Sequence, residues 1–483
     1  MKFYYKRGKI DWRIVTLVLF LCSVNILTIK TIYIASFIAF IEAIVLLLSI
    51  CKQRTDLFLF SFLIILSTTF EFAMFVDSSL KSVPSIVMLP SLKGYFFLLI
   101  SLCPIYSILK NYHVWKKLKK GSGLYQFTYF AFITFIIGVI IGVISILIEN
   151  LPIPFRITFF FRDIINIGMF SLYTLYFIFS ILYYKHFAKQ LEIILFSTLI
   201  GLIFTAFVFT YLGFRGDYEL QEIILMPLSF FFSISIIYFL CFKEYYKKHI
   251  IILLLLSGIV IILQFHYSNA LSGKSWLAVL YLCITLFYIS YKKIKIFFYI
   301  GMILLLFASS FIYNAMDKHK YESDSLSSSK LSQALFLISI ANIDWYEKLP
   351  LSPKIRIEEF LNTSTEYINN PYYTITGKGF GSGHKDHRYS YGTFNSSAFS
   401  IEEYNNNYFI SMHETINTIF LKFGLLGILL FIVLLFYSYK NINITPWLGI
   451  GSIWLLFFWG YSFSLMAIGL PSLILGLYKT SNK

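Results

Sequence analysis

The sequence predicts an all-α, polytopic integral membrane protein, with about 12–14 transmembrane helices and one large extracytoplasmic loop containing short helices. Three observations lead there. Of 483 residues, 58% are hydrophobic and 13% charged, with a mean hydropathy of +0.75, more apolar surface than a soluble domain of this length can hide. Apolar runs of spanning length recur along nearly the whole chain, broken once by a polar stretch from Asn314 to His413. Finally, the basic residues are distributed unevenly between the two sets of alternate segments.

In order, the apolar runs fall at about 12–29, 32–50, 57–76, 94–109, 125–148, 164–184, 191–212, 223–242, 249–266, 276–291, 296–313, 416–439, 446–463 and 465–478. The last two share one run, with the break expected at Gly469-Leu-Pro471. This divides the chain into N-terminal membrane helices at 1–313 (about 11 spans), a loop at 314–413 and C-terminal membrane helices at 414–483. The first run lacks a small-residue cleavage site, so it reads as a retained anchor. With the N-terminus inside, the short inner segments hold 23 Lys/Arg and the short outer ones seven. That contrast puts both termini in the cytoplasm and the long loop outside. It also accounts for the net charge of +16 without nucleic acid, because the excess is spread over cytoplasmic turns. The five cysteines lie in or beside apolar runs, with no disulfide framework or zinc spacing. Glu42, Glu71 and Lys422 are the main charges deep in spans, and this scarcity weighs against an ion-coupled carrier.

Among the outer segments, 77–93 and 149–163 carry Pro84, Pro90, Pro152 and Pro154, which predict irregular chain; Arg156 and Arg162 then read as surface cations. G213-F-R-G-D-Y-E219 sets Arg215 between glycines, and L271-S-G-K-S-W276 sets Lys274 between small residues. A cation in such a turn suits an oxyanion, since charge and backbone N–H groups can converge on it. In the long loop, Ser352-Pro353 predicts a helix start by cap and N1 proline, carrying Arg356, Glu358 and Glu359 and ended by Pro371. G377-K-G-F-G-S-G383 lets backbone approach a ligand closely but lacks a P-loop ending. His384-Lys-Asp-His387 reads as a solvated patch, not a metal site, and Trp345 with the tyrosines at 346, 372, 373, 389 and 391 suits sugar stacking or loop packing equally. Ser411 and Glu414 fit a capping box before the next apolar run. His413 then falls in a first helical turn, where the dipole favours bound anions and a neutral imidazole. It is the candidate proton acceptor.

Arg356 on a helix, then I368-N-N-P-Y-Y-T-I-T-G-K-G-F-G381, then His413 opening a span with G424-L-L-G427 one helix length on, resembles the O-antigen polymerase/ligase superfamily. The match covers about 356–427, with Arg215 and L271-S-G-K-S275 looser counterparts of that family's arginine turns. Glu414 stands where the family commonly has Asn, Lys274 where it has Arg, and Lys422 where it has an acidic residue. The resemblance implies a glycosyltransferase in the bacterial inner membrane that polymerises polyprenyl-diphosphate-linked oligosaccharide into O-antigen- or capsule-type polysaccharide. It implies no cofactor and no metal. The partners it implies are the lipid-linked oligosaccharide, membrane lipid and, for a polymerase, a chain-length regulator protein. His413 and Glu414 would be catalytic; Arg215, Lys274, Arg356, Arg156, Gly379 and Gly381 would bind pyrophosphate or glycan. The alternatives are a ligase that transfers finished glycan to another acceptor and a flippase for the same lipid-linked sugar.

Overall fold

The computed structural model describes residues 10–27, 32–68, 108–211, 351–387 and 401–481 apart from short gaps, together with Ile105, Tyr346, Tyr391, Phe399 and scattered positions between 234 and 289. Glu71, Arg215, Lys274, Ser411 and the loop residues 314–345 lie outside the described residues. So do Pro84, Pro90 and Tyr389, and most of the runs expected between 223 and 313. The chain forms two compact units, Lys9–Thr198 with Glu358–Lys483, and Met1–Gly8 with Leu199–Ile357. The glycine segment, its charge clusters and the Glu359–His413 pair described below belong to the first, and Arg356 to the second.

The described residues are almost entirely helical, with no strand among them beyond one isolated bridge between His384 and Phe409. In chain order the helices are α1 (Trp12–Leu27), α2 (Ile32–Cys51), α3 (Thr55–Thr68), α4 (Gly123–Ile148), α5 (Ile153–Asp163), α6 (Met169–Tyr183), α7 (Phe187–Tyr211), α8 (Leu351–Asn369), α9 (Tyr372–Thr376), α10 (Ile401–Asn405), α11 (Thr415–Lys440), α12 (Pro446–Phe457) and α13 (Phe463–Ser481). Three of them, over Gly123–Ile148, Phe187–Val208 and Thr415–Ile444, are long and apolar enough to cross a membrane.

α4 starts where Gly121 turns the chain at φ 78° and the Ser122 side chain accepts a hydrogen bond from the Tyr125 N–H at 3.2 Å. It packs against α11 and α6. α13 is the hub: it packs on α3, α4, α6 and α12, and nearly all of 468–477 is buried. Its hairpin with α12 is drawn close by glycines, Gly451 against Leu473 and Gly476 against Leu448. At the far end from the site, Glu192 accepts from Trp447 Nε1 (3.1 Å) and Lys479 Nζ (2.6 Å), joining α7, α12 and α13.

Three local expectations change. Irregular chain is not what 153–163 forms: α5 begins at Ile153, because Pro154 lies in its first turn, where a missing N–H costs nothing. α13 runs straight through Pro471, and the interruption lies earlier, between Phe457 and Phe463. Neighbouring helices can support a proline inside a buried helix in this way. Helix α11 starts at Thr415 with Glu414 at the cap position, extended and making no side-chain cap bond, so the capping box does not form. The N–H of His413 instead donates to Glu359.

Candidate functional site

The glycine segment builds a seam between two helices long enough to span. Gly424 breaks α11 with φ 60° and ψ −155°, a backbone state open to glycine. The carbonyls of the turn before the break meet the glycine segment: Lys378 N–H donates to Leu421 O at 2.9 Å and Gly379 N–H to Lys422 O at 3.0 Å. The Tyr367 hydroxyl caps Phe420 O (2.9 Å) and Leu421 O (2.8 Å). Toward α4, Phe380 N–H donates to Gly138 O at 2.7 Å, and the Ser145 hydroxyl to Lys378 O at 2.8 Å. Gly377, Gly379 and Gly381 all have positive φ. A Cβ on Gly379 would collide with the Gly142 backbone, and one on Gly381 with Phe160. These glycines admit backbone to backbone. The N–H groups of Gly379 and Gly381 are engaged by Lys422 O and by Asp163 (2.8 Å), so they do not cradle a phosphate here.

Two buried charge clusters lock this seam. Lys378 Nζ reaches Glu149 Oε1 (2.7 Å), Glu366 Oε2 (2.9 Å) and Gly383 O (2.8 Å). Arg156 pairs with the other Glu149 oxygen and with the Tyr408 hydroxyl at 2.8 Å. The Tyr408 hydroxyl also donates to Glu149 (2.6 Å) and accepts from Gly383 N–H (2.9 Å). Two cations face two carboxylates, the condition under which charge tolerates burial. In the second cluster Lys422 Nζ lies 2.6 Å from Asp163 Oδ2 and 2.5 Å from Ser382 O. This accounts for the lysine at an otherwise apolar position of α11.

The third centre is the pair Glu359–His413. Glu359, 0% exposed, hydrogen-bonds His413 Nδ1 and accepts from the His413 N–H (3.2 Å to Oε2) and from Asn417 Nδ2 (3.0 Å). His413 is 26% exposed, its ring edge-on to Phe399 with centroids 5.3 Å apart. A carboxylate fixed at Nδ1 sets the tautomer and points Nε2 away as the working nitrogen. Among the described residues Nε2 makes no hydrogen bond. Behind Phe399, the buried His384 shares a 2.7 Å hydrogen bond with the Tyr391 hydroxyl. Burial holds His384 neutral, its pKa pushed down to about 3 with help from Lys378 and Lys422. Burial pushes the Tyr391 phenol up. The expectation of a solvated His384–His387 patch is therefore corrected in part: His384 is core, whereas Lys385 and His387 are exposed, His387 lying 3.3 Å from Glu366. Tyr373 and Tyr391 pack inside, whereas Tyr372 is exposed.

Of the expected site residues, Arg156 lies in the core: its guanidinium is 0% exposed and offset by Glu149, so it presents no phosphate-binding face to the surface. Arg356 lies on α8, three residues before Glu359. Glu414 stands at the N-cap position of α11, beside His413. Arg215 and Lys274 lie outside the described residues, and the contact expected of them with His413 does too. Sequence reasoning passed over Glu359, which it saw as one of two helix acids. Its signal was a three-residue offset from Arg356 on the same helix face. It also missed G138-x-x-x-G142 in α4, a small-residue spacing that admits close backbone approach. No protein-family model matches the chain, and no curated protein and no solved structure matches it.

Proposed function

We propose that the protein is a membrane glycosyltransferase that joins polyprenyl-diphosphate-linked oligosaccharide units into surface polysaccharide on the extracytoplasmic side of a bacterial cytoplasmic membrane. The observation that carries this reading is the buried Glu359 carboxylate fixing His413 at the mouth of a helix long enough to span. It is supported by the convergence of three separated stretches, α8, the glycine segment and the start of α11, on one another.

In the step, an acceptor sugar hydroxyl attacks the anomeric carbon of the donor. The new C–O bond forms as the bond to the diphosphate breaks, and the diphosphate leaves with the electron pair. His413 Nε2 takes the hydroxyl proton, while Glu359 holds the ring and balances the imidazolium that results. The cations Arg215, Lys274 and Arg356 are the candidates for the diphosphate charge, with Lys274 acting as a point charge and not a fork. Both termini and the short basic turns lie on the cytoplasmic side in this reading.

The test is the glycan profile of cells carrying His413→Ala, with expression matched to wild type. The expected result is loss of the long ladder with single units still transferred. Long polymer accumulating on the polyprenyl carrier would mean a ligase instead, and an unchanged ladder would reject the role of His413.

A further inference from the structure

Residues 366–383 fall in the stretch whose composition reads as aqueous loop, yet their contacts lie well below the ends of two helices of spanning length. Phe380 N–H meets Gly138 O, ten residues before the end of α4. Gly377 and the Ile375 carbonyl meet Gly424, nine residues after the start of α11. At 1.5 Å per residue both lie about 14–15 Å along their helices. α4 runs unbroken for 26 residues and is about 39 Å long, against a hydrocarbon thickness of about 30 Å. The seam therefore falls about 10 Å inside the apolar layer. Non-helical backbone is tolerated at that depth where protein satisfies it, and the N–H groups of Gly377, Lys378, Gly379, Phe380 and Gly381 all have protein acceptors.

The outward side of the same segment is apolar. Ile368 is 78%, Tyr372 58% and Ile375 63% exposed. α9 packs on α11, whose Leu425, Leu429 and Ile432 are exposed too, so the spanning helix and the segment packed on it both present apolar side chains outward. In water three large side chains on fewer than ten residues would be an unfavourable patch; against acyl chains they are in their preferred medium.

We propose that residues 366–383 form a re-entrant element in the outer half of the bilayer, with Ile368, Tyr372 and Ile375 seated against lipid acyl chains. The charged clusters of Lys378 and Lys422 are then internal to a membrane-embedded plug, and Glu359–His413 stands above it at the interface. This inference does not depend on the glycosyltransferase reading.

The test uses the full chain with its five native cysteines replaced, reconstituted in phosphatidylethanolamine/phosphatidylglycerol liposomes. Single variants Ile368→Cys, Tyr372→Cys and Ile375→Cys carry a nitroxide, and power saturation compares collision with oxygen and with a polar nickel chelate. Leu429→Cys serves as the lipid-facing control and Lys385→Cys as the aqueous one. Oxygen access exceeding nickel access at all three positions, as at Leu429, is expected. Nickel access dominating, as at Lys385, would overturn the proposal. Low access to both reagents, the mark of a site covered by protein, would overturn it equally.

Discussion

Replacing Gly379 by alanine separates a packing role for the glycine segment from a ligand-cradling one. Gly379 has φ 73°, and a Cβ there would run into the backbone of Gly142. Two costs combine: about 1–2 kcal/mol for an L-residue in the left-handed region, and about 1–3 kcal/mol for forcing apart a filled interface. The sum is about 2–5 kcal/mol. Gly121 supplies the control, since it has φ 78° but nothing within 4 Å of the added atom, so Gly121→Ala bears the first cost alone, about 1–2 kcal/mol. Unfolding of the detergent-solubilised full chain by denaturant, followed by tryptophan fluorescence, compares the two. Gly142→Ala meets the backbone of Phe380 across the same seam, so its cost and that of Gly379→Ala will not add. If Gly379→Ala is no more destabilising than Gly121→Ala, the seam as described is wrong.

Other expectations follow from the buried polar groups. Lys422→Met leaves Asp163 without its lysine partner and costs about 3–5 kcal/mol; adding Asp163→Asn recovers part of that, and a double variant less stable than the single would contradict the pairing. Tyr408→Phe removes the hydroxyl joining Arg156, Glu149 and Gly383 N–H and lowers stability by about 1–3 kcal/mol in the same denaturation. His384 is neutral when folded, with its pKa near 3, whereas an unfolded histidine titrates near 6.5. Between those values the unfolded chain binds the extra proton, so stability falls as pH drops, by about 2 kcal/mol from pH 7 to pH 5. His384→Gln flattens that slope; an unchanged slope would place the titration elsewhere.

The fold was legible where composition alone decides it. α1, α2, α4, α7 and α11 fall within a few residues of the apolar runs, and α8 begins and ends near Ser352-Pro353 and Pro371 as turn chemistry predicts. What stayed hidden were partnerships across long separations. A lysine in an apolar run, Lys422, has no visible reason in sequence until Asp163 arrives from 259 residues away. Nothing in the sequence sets Glu359 apart from Glu358 beside it, because its partner His413 comes from the start of α11, 54 residues on. The glycine run reads in sequence as close backbone approach to a ligand; in the structure the backbone it meets is that of Gly142 of α4. Its polar composition suggested a loop in water, because lysine, serine and histidine there are neutralised or hydrogen-bonded by residues that local patterning does not reveal. Helix ends erred for a similar reason: neighbours hold Pro471 within α13, and the His413 N–H ahead of α11 is taken by Glu359 from a distant helix.

The most direct measurement of the central claim is transfer by the purified full chain in liposomes, using polyprenyl-diphosphate-linked oligosaccharide extracted from the source cells. Released polyprenyl diphosphate and product length are followed for wild type, His413→Ala and Glu359→Gln. Release coupled to chain growth is expected, with a loss of about 10²–10⁴-fold in rate for His413→Ala and a smaller loss with an altered pH profile for Glu359→Gln. Full transfer by both variants, or no release by a wild-type chain that binds the substrate, would contradict it.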